Sequence, residues 1–84
     1  MHEREVALRI EEFVRDNFDV SPSDARFGRE LDLFQHAYVD SVGLTELLAF
    51  IESEFDVEVP EADLLSDEFV TIDGMARVVV RLAD

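Results

Sequence analysis

The pair Asp40-Ser41 stands at the start of a helical pattern that runs to about Phe55. A serine hydroxyl there faces outward beside backbone N–H groups that lack an intrahelical acceptor, at the positive end of the helix dipole. The chemistry suited to that place is the holding of an attached phosphate, because the anion meets donors that are already oriented. From Glu30 to Ala76 the chain carries thirteen acidic residues and no Lys or Arg. Such a surface invites a basic partner. Together these features describe a serine that other enzymes modify, not one that performs catalysis.

Other chemistries fit less well. Pairing Ser41 with His36 as nucleophile and base fails for want of a Gly-x-Ser-x-Gly elbow or any identifiable oxyanion hole. A five-residue separation across a helix start does not by itself create hydrogen-bond geometry, so His36 reads as a loop histidine. The absence of cysteine excludes disulfides, thiolate nucleophiles and Cys-ligated metal sites. No Asp-rich loop with the calcium-binding spacing is present either.

The elements that must position Ser41 follow from apolar spacing. A first helix is predicted from about Glu3 to Asn17, with Val6, Ile10, Phe13 and Val14 on one stripe and Phe18 closing it. Residues 19 to 40 lack a long periodic segment and read as an ordered loop pinned by Leu31, Leu33, Phe34 and Tyr38. Within it, Ser21-Pro22-Ser23-Asp24 could begin one short turn with Ser21 as N-cap. In the second helix, Leu44, Leu47, Leu48, Ile51 and Phe55 fall within about 60° of one another at 100° per residue and form the core stripe. Glu46, Ala49 and Ser53 fall opposite, and so does Val42, an apolar residue facing solvent at the helix tip. Asp56 to Pro60 is expected to be an extended linker, since Pro60 and the lack of a partner strand argue against a sheet. Glu61 to Leu65 can form a short third helix. Thr71 then caps a last helix to about Leu82 that buries Ile72, Met75, Ala76 and Val79, with Gly74 weakening its first turn. The fold expected is all-α, three main helices plus one short one in a single domain spanning residues 1 to 84.

Composition bounds the partners. The chain is 48 % hydrophobic with seven Phe, too apolar for a disordered acidic tail. Twenty-one acidic residues against seven Arg give a net charge of −14. That balance argues against nucleic acid and anionic membranes and favours basic protein partners. It also opposes self-association, so a monomer is expected, and self-repulsion should make the fold respond to salt. No apolar run reaches membrane-spanning length and no signal-peptide pattern opens the chain, which points to the cytoplasm.

Three stretches carry a family resemblance. Val39-Asp40-Ser41-Val42-Gly43-Leu44-Thr45-Glu46-Leu47-Leu48 is similar to the Asp-Ser-hydrophobic signature of acyl and peptidyl carrier proteins and the helix that follows it. Glu52-Ser53-Glu54-Phe55-Asp56-Val57-Glu58-Val59-Pro60 resembles their acidic helix end and Phe-to-Pro turn, and Phe69-Val70-Thr71-Ile72 resembles the segment opening their last helix. The likeness spans roughly Leu31 to Val79. It implies the right-handed-type carrier bundle with a long ordered first loop. It also implies a 4′-phosphopantetheine arm on Ser41, installed from coenzyme A by a Mg²⁺-dependent phosphopantetheinyl transferase, with Asp40 orienting the helix start. Cargo would ride on the arm as a thioester, placed there by an acyl- or aminoacyl-loading ligase and taken by a downstream acyltransferase or synthase. Val42, Thr45, Glu46 and Ala49 map onto the family's recognition helix, and Glu61 and Asp63 are weaker contact candidates.

Departures from the pattern narrow the pathway. Many fatty-acid carriers have Leu and then an acidic residue after the serine, where this chain has Val42 and Gly43. A glycine often found just upstream is replaced by Ala37. These features look closer to free-standing carriers of the D-alanyl type or of specialised polyketide or nonribosomal-type pathways, the latter preferred. A small acidic helical adaptor with an unmodified Ser41 fits the same residues.

Overall fold

The computed structural model describes residues 1–84. Four α-helices follow in order: α1 (Glu3–Asn17), α2 (Ser41–Phe55), α3 (Glu61–Leu64) and α4 (Ile72–Ala83), with a 3-10 turn at Asp67–Val70 before α4. There is no strand. No helix is long and apolar enough to cross a membrane.

Helix α1 opens with Glu3 and Glu5 and ends with Arg15, each sign matched to the dipole end it occupies. It buries Val6, Ala7, Ile10 and Val14, chiefly against α4. The Asn17 side-chain amide donates to the Phe13 carbonyl at 2.9 Å and closes the last turn. Helix α4 starts where Thr71 Oγ1 accepts from the Gly74 N–H at 2.9 Å and buries Ile72, Met75, Ala76, Val78 and Val79. The α1–α2 seam is aromatic: Phe13 stacks on Phe50 with centroids 4.2 Å apart, and Phe18 meets Phe13 edge-on at 6.0 Å. Phe13 and Phe18 are therefore half-buried at the seam instead of completing the core stripe of α1.

The 19–40 loop is ordered as expected: the predicted pin Leu33 is fully buried, Phe34 and Tyr38 pack against the core, and further anchors join them. Val20, Phe27, Leu33 and Val39 are buried, whereas the predicted pins Leu31, Phe34 and Tyr38 are half-buried. Leu33 donates its N–H to the Val70 carbonyl at 2.9 Å, and Arg29 offers its carbonyl to the Asp73 N–H at 2.9 Å. Both bonds tie the loop to the approach of α4. The Ser21 segment forms the expected short turn, with the Asp24 N–H on the Ser21 carbonyl at 3.0 Å and the Ser23 N–H on Ser21 Oγ at 3.3 Å. After α2, Asp56 adopts a left-handed conformation with φ 53°, and Glu52 Oε2 accepts from the Val59 N–H at 2.9 Å. That side chain satisfies the backbone of the extended linker in place of a partner strand.

Two positions have measurable consequences. Ala37 is exposed and sits at φ 62°, a left-handed conformation that a Cβ disfavours by about 1–2 kcal/mol. Ala37→Gly removes that strain but adds unfolded-state freedom, so a net gain of about 0.5–1 kcal/mol is expected in denaturant unfolding. The second position is Glu11, which accepts from Arg29 Nε at 2.7 Å and Arg15 Nε at 3.0 Å, joining α1 to the loop. The Arg29 hydrogen bond lowers the Glu11 carboxyl below the ordinary carboxylate range, partial burial opposes this, and Arg15 adds to the lowering. A depressed folded-state value means the stabilisation is complete above the ordinary range and fades as pH falls through the depressed value. Glu11→Gln should lower Tm by roughly 2–6 °C at pH 7, with the gap to wild type closing in acid; thermal melts across pH read this directly.

Candidate functional site

Ser41 is the first residue of α2, and it is exposed. Asp40, extended at φ −104° and ψ −172°, is the N-cap; its Oδ1 accepts from the Gly43 N–H at 2.8 Å, and its carbonyl accepts from the Leu44 N–H at 2.8 Å. This uses two of the donors near the helix start. The N–H groups of Ser41 and Val42 have no backbone or side-chain acceptor. The first turn of α2 contains no acidic side chain, and the Asp40 carboxylate is already engaged. A phosphodiester anion carried on the Ser41 hydroxyl fits this arrangement, since open donors and the dipole end both favour it.

Gly43 explains a departure noted in the sequence. It is buried, and a Cβ there would lie 2.8 Å from Phe18 Cε1 and 3.2 Å from Val39 Cγ1. The acidic side chain that many carriers place at this position would be driven into an aromatic ring. Glycine instead lets α2 close on the start of the loop, with the Asp40 cap directly above.

Val42, Thr45, Glu46 and Ala49 are all exposed and share one face of α2, following Ser41 at helical spacing. Val42 keeps 68 % of its surface in solvent. Thr45 Oγ1 donates to the Ser41 carbonyl at 3.2 Å, which holds the rotamer of a neighbour one turn from the serine. Glu61 is exposed, while Asp63 is half-buried and paired with Arg81 at 3.3 Å, so the two differ in availability. His36 is exposed in the loop, its backbone N–H on the Asp32 carbonyl at 3.3 Å. Sequence reasoning missed Leu65, which keeps 74 % of its surface in solvent just after α3. Its apolar character next to an acidic helix was the available signal.

A four-helix domain that offers a capped, exposed serine at the start of α2 has the build of a protein that is modified and handed between enzymes. The sequence profile described as the phosphopantetheine attachment site matches residues 8–79. D-alanyl carrier proteins of Streptococcus pyogenes serotype M1 and serotype M5 (strain Manfredo) are each 32 % identical over 76 residues, covering 89 % of this chain and 96 % of theirs. The chain belongs to the phosphopantetheine-attachment family of carrier proteins. It is not an enzyme in its own right: partners such as a phosphopantetheinyl transferase and loading ligases modify and charge it. The arm, when attached, would supply a terminal thiol able to hold an acyl group, a nucleophile this cysteine-free chain does not itself contain.

Proposed function

We propose that Ser41 bears the phosphopantetheine arm and that the protein presents an acyl or aminoacyl group to the enzymes of a dedicated pathway. The observation that carries this reading is the exposed serine beside open N–H groups, capped by Asp40 and flanked by the solvent-facing stripe Val42, Thr45, Glu46 and Ala49. That stripe and the acidic run from Glu30 to Ala76 are the surface that basic partners read by electrostatic steering. Asp40 orients the helix start and faces the transferase. The protein works as a monomer in the cytoplasm.

Likeness to D-alanyl carrier proteins over nearly their whole length favours D-alanine, an aminoacyl cargo, for cell-envelope modification. A specialised polyketide or nonribosomal-type pathway is the second reading; Val42-Gly43, where many fatty-acid carriers have Leu and an acidic residue, fits it as well as the first. The test is to charge the arm-bearing protein in parallel. One reaction supplies D-alanine, ATP and a D-alanine–carrier ligase; the other supplies malonyl-CoA and a malonyl transferase. An alanyl mass increment alone supports the first reading, and a malonyl increment alone supports the second.

A further inference from the structure

We propose that Tyr38 is a positioning residue for the charging of Ser41: its hydrogen bond to Asp24 holds the chain entering α2 in the arrangement that a transferase engages. The proposal rests on the reading of Ser41 as the attachment point.

The segment before Ser41 needs holding. Ala37 is strained in the left-handed region, and the first turn of α2 contains Gly43, a poor helix former. Three restraints oppose unwinding. The Leu33 carbonyl accepts from the N–H groups of Tyr38 at 2.9 Å and Val39 at 3.2 Å, and the Val39 side chain is buried. Both fix the depth of the chain against the core. The third restraint acts sideways: the Tyr38 hydroxyl donates to Asp24 Oδ2, fourteen residues upstream.

Asp24 is itself fixed, because its other oxygen accepts from the Arg26 N–H at 2.9 Å. The Tyr38 ring meets Phe27 edge-on at 5.4 Å, and the Arg15 guanidinium lies 4.6 Å above the Phe27 ring. A continuous line of contacts thus runs from α1 through Phe27 and Tyr38 to a point three residues before Ser41. Consistent with this bond, the Asp24 carboxyl is lowered, first by Tyr38 and then by the Arg26 N–H, and the Tyr38 phenol is raised, first by Asp24.

Losing one such bond leaves the fold intact but spreads the entry segment over more conformers. An enzyme that binds only the ordered form then sees a smaller competent fraction, so the apparent affinity drops while the rate from the bound state does not. The experiment is steady-state transfer from coenzyme A by a broad-specificity phosphopantetheinyl transferase with Mg²⁺, varying the full-length apo carrier. Tyr38→Phe and Asp24→Ala should each raise KM for the carrier about 3- to 10-fold with kcat within about twofold. The double variant should be no worse than either single, and Asp24→Asn, which still bonds to the phenol, should stay close to wild type. An unchanged KM in Tyr38→Phe overturns the proposal, even if Tm falls, and so do losses that simply multiply in the double variant. Failure of the Ser41 reading looks different: the wild type would accept no arm at that serine.

Discussion

Gly74→Ala is expected to lower stability by more than about 3 kcal/mol and Tm by upwards of ~12 °C. By helix propensity alone the substitution should help, since Ala is favoured over Gly by about 1 kcal/mol inside a helix. The geometry reverses the sign. A Cβ at Gly74 would lie 1.7 Å from the Glu68 carbonyl oxygen and 2.8 Å from its carbon. Those are backbone atoms of the 3-10 turn, so no side-chain rotation relieves the overlap. Either the turn or the start of α4 must move, and between them they carry Phe69 and Ile72, both buried in the core. Moving the turn also strains the Leu33 N–H bond to Val70 that anchors the long loop. Thermal unfolding followed by circular dichroism decides the matter; a Tm equal to or above wild type would show that the turn yields freely.

Leu33→Ala is the second large effect, with a loss of about 2–5 kcal/mol expected from removed burial and the cavity left behind. Leu33 has no exposed surface, although it lies in a stretch with no regular secondary structure. The matched control is Leu65→Ala, the same chemical change at an exposed side chain, expected to stay within about 0.5 kcal/mol of wild type. Equilibrium urea unfolding of the pair separates burial from leucine chemistry. Equal losses would mean that the loop does not seat in the core.

The contrast between those two leucines marks what the sequence could reveal. The bounds of helix α2 were legible because its signals are local, an Asp cap and apolar residues at helical spacing. Of its expected core stripe, Leu47, Ile51 and Phe55 are buried and Leu44 and Leu48 half-buried; the left-handed Asp56 was hidden in a segment read as extended. The exposure of Val42, Glu46 and Ala49 followed from the same 100° geometry, while Thr45 came from the family resemblance. Thr71 announced α4 for similar reasons. In the loop Leu33 was legible as a pin, but Val20, Phe27 and Val39 were not, because no periodicity links them; all four join the one buried cluster.

Glycine and alanine roles were also hidden. Gly74 read as a weak point in a helix, yet a carbonyl six residues earlier makes it necessary. Gly43 read as a departure from a pattern, and only the position of the Phe18 ring explains it. Ala37 shows the converse, a strained residue where glycine would be relaxed. Ion pairs such as Arg29 with Glu11 and Arg9 with Glu54 join residues 18 and 45 positions apart, beyond the reach of local reasoning. The identity of the cargo depends on the enzymes that load and unload the arm, whose sequences this chain does not contain.

The central claim is that Ser41 receives the arm. Its most direct test is the intact mass of the purified chain after incubation with coenzyme A, Mg²⁺ and a broad-specificity phosphopantetheinyl transferase, beside Ser41→Ala treated identically. One phosphopantetheine increment on the wild type and none on the variant is the expected result. An increment that persists in Ser41→Ala would move the attachment point elsewhere, and a wild type that stays unmodified with several transferases would make it an acidic helical adaptor instead.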